Sequence, residues 1–162
     1  MFFVEGQGAD LLNEALTLRA IGGAGVSADA LPCLLEASKH RQIVMAKAEN
    51  GELLASLACA KISKYTLRVL AANPEHKLKP FEYCEGKILF VLDGFFRKNS
   101  CRKALAVLAP QFARSRLIAF VRNGRLRVFY NRNGKASPVR LAELSEVSPE
   151  SATVRVPVRA VG

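Results

Sequence analysis

Several features that would assign a protein class at once are missing from these 162 residues. No apolar stretch approaches the roughly 18–20 residues of a membrane-spanning helix. The first residues, MFFVEGQGADLL, lack the basic and long apolar regions of a secretory signal. The composition is nevertheless 50% hydrophobic, with a mean hydropathy of +0.12, which excludes a disordered chain. We therefore expect a soluble, cytoplasmic protein with no membrane span and a length of roughly one domain.

Motifs for metals and nucleotides are missing as well. The four cysteines, Cys33, Cys59, Cys84 and Cys101, are widely spaced, form no C-x-x-C pair and lie beside apolar residues. This pattern favours buried thiols over disulfides or zinc ligands. Neither a P-loop nor a G-x-G-x-x-G motif occurs. The sequence thus predicts no metal site and no permanently bound cofactor.

Acidic residues are absent from Gly94 to Ala142, although the formal net charge of the whole chain is +10. This acid-free span holds twelve of the 24 basic residues: Arg97, Lys98, Arg102, Lys103, Arg114, Arg116, Arg122, Arg125, Arg127, Arg132, Lys135 and Arg140. A solvated basic surface is one interpretation, because charge of one sign keeps proteins soluble. An anionic partner is the interpretation that we favour.

Hydrophobic periodicity and turn residues predict an ordered series of elements. The first elements are a helix in ADLLNEALTLRAI, a second helix capped by Ser27 or Asp29, and a hairpin around Asn50-Gly51. A helix from Ser63, a buried strand from Ile88 to Asp93, a helix capped by Asn99 or Ser100 and a hairpin around Asn123-Gly124 follow. The apolar residues expected to face inward are Leu31, Leu34 and Leu35 in the second helix and Ala104, Leu105, Val107 and Leu108 in the last one.

This order predicts an α/β (α+β) fold, with a mostly antiparallel central sheet flanked by helices. We assign residues 1–136 to one domain. Residues 137–162 are assigned to a C-terminal arm with one edge strand near Val154, where Pro157 limits pairing.

The stretch KILFVLDGFF places a single acid, Asp93, at the end of an unbroken apolar run and directly before Gly94. An acid at the end of a central strand is a common position for a catalytic or ligand-orienting carboxylate. An aspartate before glycine is equally typical of a turn, in which the carboxylate only hydrogen-bonds the backbone. Both interpretations stay open from the residues alone.

Basic residues crowd the start of the helix that begins near Ser100. Arg97, Lys98, Arg102 and Lys103 lie where the helix dipole is already positive, which costs about 0.3–1 kcal/mol for each exposed cation. Their position makes sense if a phosphate or another anion binds the free N–H groups of the first turn. Alternatively, the side chains extend into water, where salt screens them.

The segments ALPCLLEA, RQIVMAKAENGELLASLACAKIS and YCEGKILFVLDGFF, followed by a basic helix, resemble the toxin-activating lysine acyltransferases. These bacterial enzymes transfer fatty acyl groups from acyl carrier protein to lysines of pore-forming RTX protoxins, and their fold is a variant of the GCN5-type acetyltransferase fold. The resemblance covers roughly residues 11 to 134. It depends on the order of elements, the Leu31-Pro32 opening of the second helix, the first hairpin and the strand that contains Asp93.

The resemblance implies a role for each candidate site residue. Asp93 takes the position of the catalytic aspartate of the family. The segment Gly94, Arg97, Lys98, Ser100, Arg102 and Lys103 would bind the substrate, namely the acyl-phosphopantetheine donor and the acidic surface of acyl carrier protein. Asp29 falls near a polar position that supports the site. The second substrate would be a protein with target lysines, and the oligomeric state, a homodimer included, stays open.

The sequence departs from the family at the catalytic histidine. The corresponding stretch, LTLRAIGGAGVSADA, contains no histidine, and the chain has only His40 and His76. A positioned general base contributes about 10²–10⁴-fold to a reaction in which a lysine must lose a proton. We take His76 as the replacement, because it lies in the connection that leads to the Asp93 strand. The alternatives are an altered catalytic site or a non-catalytic binding module of the same fold.

Nucleic-acid binding is a function of a different class. In the second hairpin, Ile118, Phe120, Arg122, Arg125, Arg127 and Phe129 would share one face, by the alternation of strand residues. Arginines mixed with aromatics are typical of a surface that binds single-stranded nucleic acid. The same residues also fit a sheet face that packs under a helix. No RNP motif is present, so we rank this function below acyl transfer.

Overall fold

The computed structural model describes residues 8–132 and 135–140. Its elements are α1 (Gly8–Ile21), α2 (Ala30–Lys39), β1 (Ile43–Lys47), β2 (Leu53–Ile62), α3 (Lys64–Ala72), a 3₁₀ turn (Pro80–Tyr83), β3 (Ile88–Phe96), α4 (Cys101–Ala113), β4 (Leu117–Arg122), β5 (Arg125–Arg132) and β6 (Lys135–Val139). The predicted order of helices and strands is confirmed, with the 3₁₀ turn and β6 in addition. The strand expected near Val154 lies outside the described residues.

The six strands form one sheet in the order β1-β2-β3-β4-β5-β6. Neighbouring strands are antiparallel except β3 and β4, which run parallel and are joined through α4. A parallel pair needs such a crossover, because its connection must return to the starting end of the sheet. The fold is therefore α+β with a mostly antiparallel sheet, as the sequence predicts.

Helices cover both faces of the sheet. On one face, α1, α2 and α3 contribute Leu18, Leu34 and Leu70 to the larger core cluster, together with β-strand residues such as Phe90. On the other face, α4 packs Ala104, Val107 and Leu108 against β2. At about 25 cal/mol per Å² of apolar surface, this burial on both faces supplies the main stabilisation of the domain.

Local signals in the sequence explain two of the connections. Asn123 and Gly124 have φ angles of 52° and 65°, so the second hairpin has the left-handed two-residue turn that Asn-Gly favours. The hydroxyl oxygen of Ser63 accepts a hydrogen bond from the Thr66 N–H at 3.1 Å and caps α3 as predicted.

Several expectations about burial are wrong. Leu31 and Leu35 are 41% and 43% exposed, and only Leu34 of that predicted set is buried. In α4, Leu105 is 46% exposed. Among the cysteines, all free, only Cys59 is buried, with its pKa raised by burial to about 12, while the exposed ones are Cys84 and Cys101. Short apolar helices present more hydrophobic residues than one packing face can cover, so these extra residues stay at the surface.

The end of the central strand differs from the prediction. The central strand continues past Asp93 to Phe96, so Asp93-Gly94 is not a turn. The edge strand β6 begins at Lys135, and the expected domain boundary between residues 136 and 137 therefore falls inside this strand. Its Pro138 pairs with Phe129 at the sheet edge, where a missing N–H is tolerated. Within the described ranges, no helix is long and apolar enough to cross a bilayer.

Candidate functional site at the β3–β4 separation

A β-bulge in β3 sets the direction in which Asp93 points. Ala58 of β2 pairs with Asp93 and the next residue, Cys59, pairs with Val91, so Leu92 is an extra residue in the ladder. A bulge of this kind reverses the alternation of the residues that follow it. Asp93 and Phe95 consequently lie on the face covered by α1 and α2, whereas Gly94 lies opposite Leu57 on the α4 face.

The two parallel strands separate just beyond this bulge. Pairing between β3 and β4 covers Leu89 to Val91 and Ile118 to Phe120, but the strands themselves run on to Phe96 and Arg122. The backbone N–H and C=O groups at the diverging ends therefore form no ladder hydrogen bonds between β3 and β4. The separation opens the sheet at its centre, next to Asp93.

A cavity of about 620 Å³ fills this separation. Its lining is mostly apolar and comes from β2, β3, β4, β5, α4 and β6: Leu57, Val91, Leu92, Asp93, Gly94, Phe96, Cys101, Leu105, Phe112, Ile118, Phe120, Val121, Arg122, Phe129 and Ala136. A cavity of this size and composition is suited to a small apolar ligand or chain.

Gly94 helps to keep the cavity open. A Cβ at this position would lie 2.8 Å from Cδ2 of Leu57, which is closer than side-chain atoms normally approach. Both residues line the cavity, so any larger side chain at Gly94 would push Leu57 or enter the cavity itself. Glycine is thus required here for space rather than for turn geometry.

Asp93 is held by a buried arginine on the opposite side of the sheet from α4. Nη2 of Arg19, in the last turn of α1, donates a hydrogen bond to Oδ2 of Asp93. The side chains of Arg19 and Asp93 are 8% and 22% exposed. The guanidinium also lies 5.3 Å from the ring centroid of Phe95, a cation–π distance. Because a guanidinium stays protonated in proteins, Arg19 orients the carboxylate but cannot accept a proton for it.

Cys33 of α2 interacts electrostatically with the carboxylate of Asp93. Burial raises the pKa of the Cys33 thiol, the carboxylates of Asp93 and Asp29 raise it further, and a hydrogen bond with Tyr83 opposes them. Burial also raises the pKa of Tyr83, whose ring stacks on His40 at 5.6 Å. The raised pKa values keep the thiol of Cys33 and the phenol of Tyr83 protonated at neutral pH, so neither provides a nucleophile.

His76 contacts Glu82 rather than Asp93. Its Nε2 lies 3.2 Å from Oε2 of the buried Glu82, which also accepts a hydrogen bond from the Lys79 N–H. This network fastens the connection before β3. The structure therefore pairs Asp93 with Arg19 and His76 with Glu82, and it does not bring the two predicted catalytic residues together as a pair. A catalytic role for His76 stays an untested prediction.

In the predicted substrate-binding segment, some side chains contact β2 or the residue before it, and others are exposed to solvent. Arg97 forms an ion pair with Glu52, and the hydroxyl of Ser100 donates to the carbonyl oxygen of Leu54 at 2.9 Å, so both fasten the loop to β2. By contrast, Lys98, Arg102 and Lys103 are exposed at the start of α4.

The hairpin of β4 and β5 has the faces that the sequence predicts. Ile118 pairs with Phe129, Phe120 with Arg127, and Arg122 with Arg125, so these six residues share one face. The rings of Phe120 and Phe129 stack with centroids 5.6 Å apart. Four of the six line the cavity, which makes the apolar part of this face a cavity wall and leaves its arginines exposed.

Arg19 is not among the predicted site residues, although α1 contains a signal for it. Arg19 follows Leu11 and Ala15 at intervals of eight and four residues, on the stripe that packs into the core. A charged residue on a buried stripe needs a partner of opposite charge. The bulge at Leu92 and the separation of β3 from β4 have no comparable signal, because both depend on how distant segments pair.

Comparison of the chain with protein-family models and with curated proteins finds no significant match.

Proposed function

We propose that this protein is an acyltransferase-like enzyme that takes a fatty acyl group from the phosphopantetheine thioester of acyl carrier protein and transfers it to a lysine of another protein. One observation carries the proposal: an apolar cavity opens where two parallel strands diverge, and Asp93 is among the residues that line it. The cavity would hold the acyl chain and the pantetheine arm. Asp93 would then meet the incoming lysine.

The chemistry assigned to Asp93 follows from its position. A lysine ammonium must lose a proton before its nitrogen attacks the thioester carbonyl, and the C–S bond then breaks to leave the carrier thiol, which takes up a proton. Asp93 is the one acid among the described residues that line the cavity, so we assign it to attract the ammonium and to accept the proton. Arg19 orients the carboxylate, because its Nη2 donates a hydrogen bond to Oδ2.

The ion pair also favours a second candidate function. Arg19, which contacts the carboxylate, cannot accept a proton, and His76 is paired with Glu82. The same cavity would then bind an acyl-pantetheine arm without transferring the acyl group. This second candidate is a non-catalytic binding module of the same fold.

One experiment separates the two candidates. The protein is mixed with acyl carrier protein that bears a fatty acyl thioester and with a lysine-containing peptide, and intact masses are recorded over time. Transfer predicts an acylated peptide and free carrier thiol, whereas the binding module predicts a complex without an acylated peptide. If the protein neither binds the acylated carrier nor acylates the peptide, both functions are contradicted.

A pair of matched variants ties the result to the cavity. Leu105→Trp places a large ring at the cavity wall, and we expect it to reduce carrier binding and peptide acylation by about tenfold or more, because the acyl chain loses its space. Leu35→Trp is the control, since Leu35 is exposed to a similar degree but lies on α2. Equal activity of the two variants would place the acyl chain elsewhere.

A further inference from the structure

Three arginines form a group on the hairpin beside the cavity. Arg122 and Arg125 are directly opposite each other on either side of the Asn123-Gly124 turn, and Arg127 follows on the same face of β5. All three are exposed. We refer to Arg122, Arg125 and Arg127 as the arginine rim.

The arginine rim is not neutralised by the rest of the described chain. Within residues 8–132 and 135–140, no ion pair involves any of the three. Like charges directly opposite each other on a strand pair are destabilising. The residues of the acid-free span add no acid nearby in sequence. The hairpin therefore carries an arrangement that costs stability unless an anion binds to it.

The position of the rim relative to the cavity indicates which anion. Arg122 itself lines the cavity, and among the described lining residues it is the one cation. The one lining acid, Asp93, is already paired with Arg19. A ligand in the cavity thus meets an apolar interior and a cationic edge. That combination fits a chain with an apolar part and a phosphate at one end.

We propose that the arginine rim binds the phosphate of the phosphopantetheine arm whose acyl end occupies the cavity. This inference rests on the proposed function and names the group that recognises its donor. Guanidinium groups match phosphate oxygens with two parallel hydrogen bonds, and adjacent arginines bind a phosphate anion more tightly than one does. The exposed cations of α4 remain available for the carrier protein surface. Both acyl carrier protein, as a phosphodiester, and acyl-coenzyme A, as a diphosphate, carry a phosphate at this end of the pantetheine arm, so the rim serves either source.

The direct test compares two probes that differ only in the phosphate. Binding of palmitoyl-pantetheine 4′-phosphate and of palmitoyl-pantetheine is measured by calorimetry with the full chain. We expect the phosphorylated probe to bind wild type about tenfold more tightly, because the rim adds charge-assisted hydrogen bonds. Replacing the rim by Arg122→Gln, Arg125→Gln and Arg127→Gln together should bring the two affinities together while the affinity for the unphosphorylated probe is kept.

A variant of equal charge serves as the control. Lys98→Gln, Arg102→Gln and Lys103→Gln together remove three cations from the start of α4 and should leave the phosphate preference unchanged. Loss of the preference in this control, but not in the rim variant, would overturn the proposal. Equal binding of both probes to wild type would also overturn it while leaving the proposed function intact. If neither probe binds, the proposed function fails together with the inference.

Two further arms distinguish the sources of the phosphate. The experiment is repeated with palmitoyl-coenzyme A and with palmitoylated acyl carrier protein. If carrier protein is the donor, the α4 variant should weaken its binding and spare palmitoyl-coenzyme A, whereas the rim variant should weaken both. A rim variant that binds both donors as wild type does would contradict phosphate recognition by these arginines.

Discussion

At the scale of single residues, the pair formed by Arg19 and Asp93 lies at the candidate site and is mostly buried. Arg19 is 6% exposed, and its guanidinium contacts the carboxylate of Asp93. Removing one partner of a mostly buried pair leaves the other charge without compensation. Studies of Asp93 must therefore separate a loss of chemistry from a loss of folding.

We predict that Asp93→Leu lowers the free energy of unfolding by about 3 kcal/mol, because Arg19 keeps its charge in a site where its side chain is 8% exposed. The double variant Arg19→Met, Asp93→Leu should return to within about 1 kcal/mol of wild type, since two apolar side chains of similar volume replace the pair. Urea denaturation followed by circular dichroism measures both values. Additive losses in the double variant would show that the two side chains do not act as a pair.

Cys33 provides a reporter of the charge on Asp93. Its pKa is raised first by burial and then by the carboxylates of Asp93 and Asp29. A negative charge disfavours the thiolate, so Asp93→Asn should shift the alkylation of Cys33 by iodoacetamide to lower pH, as read by peptide mass spectrometry. Asp10→Asn, at the start of α1, is the control. An unchanged pH profile in Asp93→Asn would contradict the placement of Cys33 beside that carboxylate.

At the scale of elements, the sequence predicts what local chemistry determines and misses what long-range pairing determines. The second hairpin follows from Asn123-Gly124, and the start of α3 follows from Ser63. Asp93 is different. The sequence around Asp93 is typical of the end of a strand. The strand nevertheless continues past Asp93, after a bulge at Leu92, because β2 is long enough to pair with the residues that follow. The candidate site forms where this bulge lies next to the point at which β4 separates from β3. Single residues of the site could therefore be predicted from the sequence, but their arrangement in space could not.

The entry to β3 shows how closely the elements approach. Gly86 donates its N–H to the Lys61 carbonyl oxygen at 2.8 Å, and a Cβ on it would lie 2.0 Å from the carbonyl oxygen of Ile62. We predict that Gly86→Ala destabilises the fold by at least about 2 kcal/mol, because backbone must move to relieve the overlap. Gly25→Ala, where a Cβ meets nothing within 4 Å, should change stability far less. Equal melting temperatures for the two variants would contradict the close packing of β2 against the entry to β3.

At the scale of the whole molecule, charge and shape divide between the two faces of the sheet. The face covered by α1, α2 and α3 carries the buried ion pair and the larger core cluster. The α4 face carries the cavity, the arginine rim and the exposed cations of α4. The net charge of +10 is therefore unevenly distributed, because exposed cations lie on the β4–β5 hairpin and at the start of α4, two parts of the fold that also line the cavity.

The most direct measurement of this arrangement is photo-cross-linking of an acyl-phosphopantetheine probe that carries a diazirine at the end of its acyl chain. If the acyl chain enters the separation between β3 and β4, labelled peptides should contain cavity residues such as Leu105, Phe112 and Phe120, and unlabelled probe should compete. The Leu105→Trp variant should lose this labelling. Labelling confined to α2 or α3, or labelling that Leu105→Trp leaves unchanged, would contradict the central claim that this cavity is the acyl-binding site.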